Sequence, residues 1–289
     1  MNNPSEVREF LTSRRARVTP QQAGLTTFGA RRVPGLRRGE VAQLAGVSVE
    51  YYTKLERGDL SGASESVLDA VAGALQLDIA EREHLFDLAR TANASPSARR
   101  RRPTPPKVRP GVQRVLDALT APAWVRNGRS DILATNLLGR ALYAPAFEDP
   151  VRPANTARFL FLSPRGTQFY RDWNRTAADM VAVLRTEAGR SPYDKGLTDL
   201  IGELSTRSED FRTRWAAHDV HIHRTGAKQL HHPAVGDLDL TYEAMELAAD
   251  PGLTLLVYTA EPDTRSADAL TLLASWAATL DRETAPDRA

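Results

Sequence analysis

The chain has 289 residues, 42% of them hydrophobic and 26% charged, with a net charge of +2 and no cysteine. That length suits two domains with substantial cores; the missing cysteines exclude disulfides, thiolate metal sites and cysteine nucleophiles, and no stretch approaches the roughly 18 apolar residues of a membrane span. The start carries no basic, apolar leader, so a cytoplasmic protein with no membrane partner is expected.

The charge is unevenly spread. Residues 1–109 hold 18 Lys/Arg against 12 Asp/Glu, and the remainder 20 against 24, which makes the first part the candidate for binding a polyanion.

Asn3-Pro4-Ser5-Glu6 reads as a helix start, with Asn3 as N-cap, Pro4 at the first position and Glu6 closing a capping-box-like pair. The helix runs to about Arg15, and a basic loop with Pro20, Gly24, Gly29 and Pro34 follows. From Glu40 to Arg90 the pattern is helical, broken at Gly46-Val47-Ser48, at Gly58 to Ser64 and at Asp78, giving five short helices in all. Asn93 to Pro110, with five prolines and Arg99-Arg100-Arg101-Arg102, reads as a linker; its charges either track phosphates or are simply solvated.

Beyond the linker the periodicity predicts a helix over 112–119, strands over 123–126 and 131–135 around Asn127-Gly128, and helices over 136–142, 156–161, 168–188, 195–205 and 209–217. Alternation predicts strands over 224–231, 238–247 and 253–259, and the last helix covers 267–280. Strands flanking a helical middle imply an α+β domain with an antiparallel sheet covered on one face. The expected division is 1–92, a linker over 93–110, a second domain over 111–281 and a disordered tail over 282–289.

The segment from Arg38 to Gly58 carries the function. It reads as two helices joined by a tight turn: Ala42 permits a close crossing, Gly46 takes the positive φ, and Ser48 caps the second helix. Val49, Tyr52 and Leu55 recur on one face and are expected inside, which turns Glu50, Thr53, Lys54 and Arg57 outward. A recognition helix presents its N-terminal residues to base edges, so Ser48, Val49, Glu50, Thr53 and Lys54 are candidates for readout, with Glu50 accepting from cytosine. Arg31, Arg32, Arg37, Arg38 and Arg57 are candidates for phosphate contacts, and Tyr51 suits either role. On spacing alone, a plain helical hairpin remains the alternative.

The run Gly35-Leu36-Arg37-Arg38-Gly39-Glu40-Val41-Ala42-Gln43-Leu44-Ala45-Gly46-Val47-Ser48, continued by Tyr51-Tyr52-Thr53-Lys54-Leu55-Glu56-Arg57-Gly58, resembles the xenobiotic-response-element family of lambda-repressor-like regulators. The tyrosine pair before Leu-Glu-Arg-Gly is similar to that of the MmyB-like regulators. So are Trp215, His218, Val220 and Lys228, then His232-Pro233-Ala234-Val235-Gly236, Leu238, Leu240, Tyr242, Asp250-Pro251-Gly252 and Tyr258-Thr259-Ala260-Glu261-Pro262 in the second half. The similarity spans about residues 6–90 and 110–278. It implies an all-α helix-turn-helix domain followed by a PAS-like sensory domain for an apolar, fatty-acid-like or other small ligand. The chain departs from the family at Ala63-Ser64-Glu65-Ser66, where a Pro-Ser helix start is common.

Aromatic residues crowd the middle helices: Phe159, Phe161, Phe169, Tyr170, Trp173, Phe211 and Trp215. A core needs such residues, but their density beside Trp124 and Tyr258 also permits an apolar pocket, with Asn136, His218 and Tyr242 as polar anchors. Candidate ligand contacts are therefore Trp124, Asn136, Phe159, Trp173, Phe211, Trp215, His218, Tyr242 and Tyr258. His221 and His223 would share a strand face, yet no carboxylate stands at metal-site spacing and no enzyme signature occurs, so no metal, cofactor or catalysis is expected. The expected partners are a double-stranded DNA operator, a small apolar ligand and a second copy of the chain, because one short recognition helix has too small a footprint for tight specific binding. The alternatives are a second domain that is a metal-dependent or enzymatic module, or one that only dimerises.

Overall fold

A computed structural model describes residues 3–26, 33–93, 107–216 and 225–284. The chain forms two compact units. One takes its described residues from Met1–Arg102, Arg185–Thr198 and Trp215–Ile222, the other from Pro103–Leu184, Asp199–Arg214 and His223–Ala289. The division is thus not the single cut in the linker that the sequence suggests.

Among the described residues of the first unit, five helices enclose one core: α1 (Asn3–Arg17), α2 (Arg38–Leu44), α3 (Val49–Glu56), α4 (Glu65–Ala74) and α5 (Ile79–Ala92). Val7, Phe10 and Leu11 of α1 meet Val41, Tyr52, Leu55, Leu68, Val71, Leu85 and Leu88, all nearly inaccessible to solvent. Each start has a mechanical cause. Ser48 accepts from the Tyr51 amide at the head of α3, and Ser64 does the same for Val67, so the departure at Ala63–Ser66 still yields a capped helix. Asp78 and Glu81 form a capping box at the head of α5. Glu6 does not close a box. Its carboxylate instead pairs at 2.5 Å with the buried guanidinium of Arg185, which also lies 4.2 Å over the Trp215 ring and donates to that residue's carbonyl.

The second unit contains α6 (Pro110–Ala118), β1 (Ala123–Asn127), β2 (Ile132–Thr135), α7 (Leu137–Leu142), a short 3-10 turn (Ala144–Phe147), α8 (Thr156–Leu162) and α9 (Pro164–Phe169). It continues with α10 (Trp173–Arg190), α11 (Lys195–Arg207), α12 (Glu209–Ala216), β3 (Thr225–His232), β4 (Gly236–Glu246), β5 (Leu253–Thr259) and α13 (Arg265–Thr284). Residues of α10 from Arg185, the first residues of α11 and the end of α12 count with the first unit. The predicted helix over 168–188 is two helices. Between them Tyr170 leaves the helical path and bridges to Leu230 of β3. The last helix extends to Thr284, into the stretch expected to be a disordered tail.

The five strands form one antiparallel sheet in the order β2-β1-β5-β4-β3. Alternation decides what each face carries. Trp124, Leu256, Tyr258, Leu240, Tyr242 and Leu230 pack with α7, α8, α9, α10 and α13. On the other face Ala123, Val125, Leu253 and Leu255 pack on Leu116 of α6. The sheet is therefore covered on both faces over β1 and β5, not on one. The reason is that β1 and β5 bear apolar residues at consecutive positions, the pattern of a strand buried on two sides.

Candidate nucleic-acid interface and ligand cavity

The hairpin of α2 and α3 turns at Gly46, whose φ is +64°, a conformation that L side chains adopt at a cost. Inside the unit α3 is fixed by Tyr52, Leu55 and Glu56, each no more than 1% exposed. Glu56 is the polar part of that anchor. Its carboxylate accepts from Thr12 at 3.0 Å, from Arg15 at 2.8 Å and from Arg38 at 3.0 Å. Burial opposes ionisation, but the bonds from Arg15 and Arg38 outweigh it and hold the Glu56 carboxyl below its usual range.

On the outside Val49, Glu50, Thr53, Lys54, Arg57 and Asp59 line one concave surface. Lys54 reaches Asp59 at 3.4 Å, both half exposed. Val49 is 46% exposed, contrary to the expectation that it packs inside. It is the first residue of α3, so although it continues the stripe of Tyr52 and Leu55, it projects past the core. Arg37 and Ser48 are exposed beside this surface and Tyr51 is half-buried. Arg38 is half exposed while its guanidinium holds Glu56. Arg31 and Arg32 lie outside the described residues.

The second unit holds a partly open cavity with about 60 Å³ of free space. One wall is the sheet, through Trp124 and Arg126 of β1, Leu256 and Tyr258 of β5, Tyr242 of β4 and Lys228 of β3. The opposite wall is α10, through Thr176, Asp179, Met180 and Val183, spaced three and four apart and hence on one helix face. Tyr143, Tyr170, Ser130 and Thr156 complete it. Lys228 pairs with Asp179 at 3.2 Å, and its ammonium lies 5.6 Å from the Tyr242 ring centre. Burial pushes that ammonium below its usual pKa, against the pull of Asp179. The Tyr143 and Tyr258 hydroxyls meet at 3.3 Å, and burial raises both phenols above their usual values.

Of the nine candidate ligand contacts, Trp124, Tyr242 and Tyr258 stand on these walls. Asn136 does not. Its side chain caps α7 through the Gly139 amide, accepts from the Ala123 amide and donates to the Leu119 and Ala121 carbonyls, so its hydrogen-bonding capacity is used within the fold. Phe159 packs on Phe169 and Tyr170, Phe211 packs on Phe161, and Trp173 donates its indole N–H to the Leu160 carbonyl. These are core contacts, as the density of large aromatics in a helical layer allows. Trp215 belongs to the first unit. His218, His221 and His223 lie outside the described residues.

The wall residues that sequence reasoning missed carry two signals. Lys228 sits at an inward position of an alternating strand, between Gly226 and Leu230. Asp179 interrupts the apolar stripe of α10. His232 is buried and held in place, with Nε2 on the Ala141 carbonyl and Nδ1 accepting from the Ala234 amide; burial lowers its pKa, which favours the neutral ring. Among the described residues no three His, Asp or Glu side chains gather to hold a metal, and no helix is long and apolar enough to cross a membrane.

Residues 108–273, more than half of the chain, match the family described as MmyB-like transcription regulator ligand binding domain. Residues 6–85 match a helix-turn-helix domain. No curated protein matches the chain. A DNA-binding hairpin and a ligand-binding domain in one polypeptide are the parts of a ligand-responsive transcription regulator, and the chain belongs to the MmyB-like regulators of the xenobiotic-response-element type.

Proposed function

We propose that the protein is a homodimeric one-component regulator that reads an operator through two copies of α3 and tunes its affinity by a small, mainly apolar ligand in the second unit. The observation that carries the reading is the division of α3 into two faces. Tyr52, Leu55 and Glu56 fix it from inside, leaving Val49, Glu50, Thr53 and Lys54 to meet base edges at the helix N-terminal half. Ser48 and Tyr51 border that set. Arg31, Arg32, Arg37, Arg38 and Arg57 supply phosphate contacts, which fix register without reading sequence. Two half-sites about one DNA turn apart supply the contacts that one helix lacks.

The test is a salt-dependent titration of the full chain against its own promoter and a scrambled duplex, with the Glu50→Ala/Lys54→Ala variant alongside. A promoter preference of at least tenfold that disappears in the variant supports the reading. Equal, steeply salt-sensitive binding to both duplexes overturns it. A strictly monomeric mass, in solution and on DNA, overturns the dimer.

A further inference from the structure

The helix that walls the cavity also takes part in the first unit. Thr176, Asp179, Met180 and Val183 of α10 line the space, and from Arg185 onward the same helix counts with α1 to α5. Only two positions, about 3 Å of helical rise, lie between Val183 and Arg185. No proline interrupts Trp173–Arg190, so the helix moves as a rod, because sharp kinks arise almost always at such breaks.

The far part of α10 is tied down. The buried Arg185 guanidinium pairs with Glu6 of α1 at 2.5 Å. Arg190 pairs with Asp87 of α5 at 2.9 Å, and the Thr91 hydroxyl of α5 donates to the Gly189 carbonyl at 3.1 Å. Gly189 marks how closely the two helices approach, since a side-chain carbon there would stand 2.7 Å from the buried His84 ring. Packing this close transmits a displacement, because protein interiors have low compressibility. α1 continues the path: Glu6 lies in its first turn, and Thr12 and Arg15 further along hold Glu56, the buried anchor of α3.

Of the two cavity walls, α10 is the one that yields. β1 and β5 are each hydrogen-bonded to a strand on both sides and are backed by Leu116 of α6. α10 meets the opposite side of the cavity through side chains, Asp179 on Lys228 and the Met180 thioether accepting from Ser130.

Resting on the reading of the second unit as the ligand-sensing half, we propose that α10 relays cavity occupancy to α3. An occupant that displaces Asp179, Met180 and Val183 moves Arg185, Gly189 and Arg190 with them, and through Glu6 and α1 it shifts Glu56. Arg185 is thus a positioning residue, acting through Glu6 at the opposite end of α1 from the contacts that anchor α3.

The test uses a substitution in place of a ligand. Leu256 of β5 lines the cavity, and Leu256→Phe adds bulk that presses on α10. Hydrogen exchange of the full chain, free of DNA, is read at 176–183, 6–15 and 49–56. Rates change about threefold or more in all three sets. In a Glu6→Ala/Arg185→Ala background, which removes both members of the buried pair and leaves neither charge stranded, Leu256→Phe still changes 176–183 but no longer 6–15 or 49–56. A purely structural Arg185 would lower stability yet leave that response intact. Leu256→Ala, which enlarges the space, serves if Leu256→Phe fails to fold, and Glu6→Gln, which removes one charge and reduces the response at 49–56 by about half or more, serves if the double variant does. No response at 176–183, a response there with none in the first unit, or an equal response with and without the pair overturns the proposal. Promoter titration of the same variants separates the regulatory reading: exchange that relays as expected while promoter affinity stays constant means that the relay exists but does not tune DNA binding.

Discussion

Replacing Glu56 by alanine tests whether α3 is held as its buried contacts suggest. The carboxylate is 1% exposed and takes bonds from Thr12, Arg15 and Arg38; the Arg15 side chain is 16% exposed, so Glu56→Ala leaves a largely buried guanidinium without a counter-charge, held only by the Leu36 carbonyl. Removing one member of a buried pair costs about 3–5 kcal/mol. Arg38 is half exposed and adds little, because water replaces its partner. The lower end, about 3 kcal/mol, is the expected loss, with about half of it for Glu56→Gln, which keeps an acceptor. Hydrogen exchange of amides in 49–56 of the full chain measures it locally. At tenfold per 1.4 kcal/mol, exchange accelerates about a hundredfold in Glu56→Ala.

The pH dependence has a definite sign. The folded carboxyl titrates below its unfolded value of about 4.3, so its stabilisation is complete above that pH and is lost as the pH falls through the folded value. Wild type and Glu56→Gln therefore differ at neutral pH and converge in acid. An acceleration below about fivefold in Glu56→Ala, or a gap that widens in acid, refutes the account of Glu56 as the anchor of α3.

The glycines of the hairpin separate conformational strain from collision. Gly46→Ala, at φ +64° with open space around it, costs about 1–2 kcal/mol. Gly58→Ala, at φ +104° with the new carbon 2.3 Å from the Pro4 carbonyl oxygen, costs more than about 3 kcal/mol, and urea titration ranks the two. Asn136→Ala loses a helix cap and three further buried hydrogen bonds and costs about 3 kcal/mol by the same measurement, while calorimetry gives an unchanged ligand affinity for the folded fraction. Arg57→Ala lowers the slope of log affinity against log salt by about 1 without changing the promoter preference, as a phosphate contact does; a changed preference assigns it to readout.

Local chemistry made much of the fold legible. Ser48, Ser64 and Asp78 mark helix starts in any context, since a side-chain oxygen three residues before an unpaired amide satisfies it whatever lies around. The alternation of Leu238, Leu240 and Tyr242 in β4 and the stripe of Tyr52 and Leu55 follow from period alone. The outward set Glu50, Thr53, Lys54 and Arg57 follows from the same stripe. Val49 shows its limit, because a period tells direction around a helix but not where the core ends.

Only the tertiary structure decided which aromatics surround a cavity and which fill a core. Phe159, Phe211 and Tyr258 are alike as hydrophobic residues, and their difference arises from neighbours distant in sequence. The pairing of Lys228 with Asp179, 49 residues away, and of Glu6 with Arg185, 179 residues away, brings together side chains whose local sequence says only that each is charged. The sequence by itself determined most of the helices, the caps and the helix-turn-helix hairpin, because those rest on contacts within a few residues, and it marked the strands through their runs of apolar residues. The cavity and its charges wait on long-range packing, where burial, not residue type, decides what a side chain does.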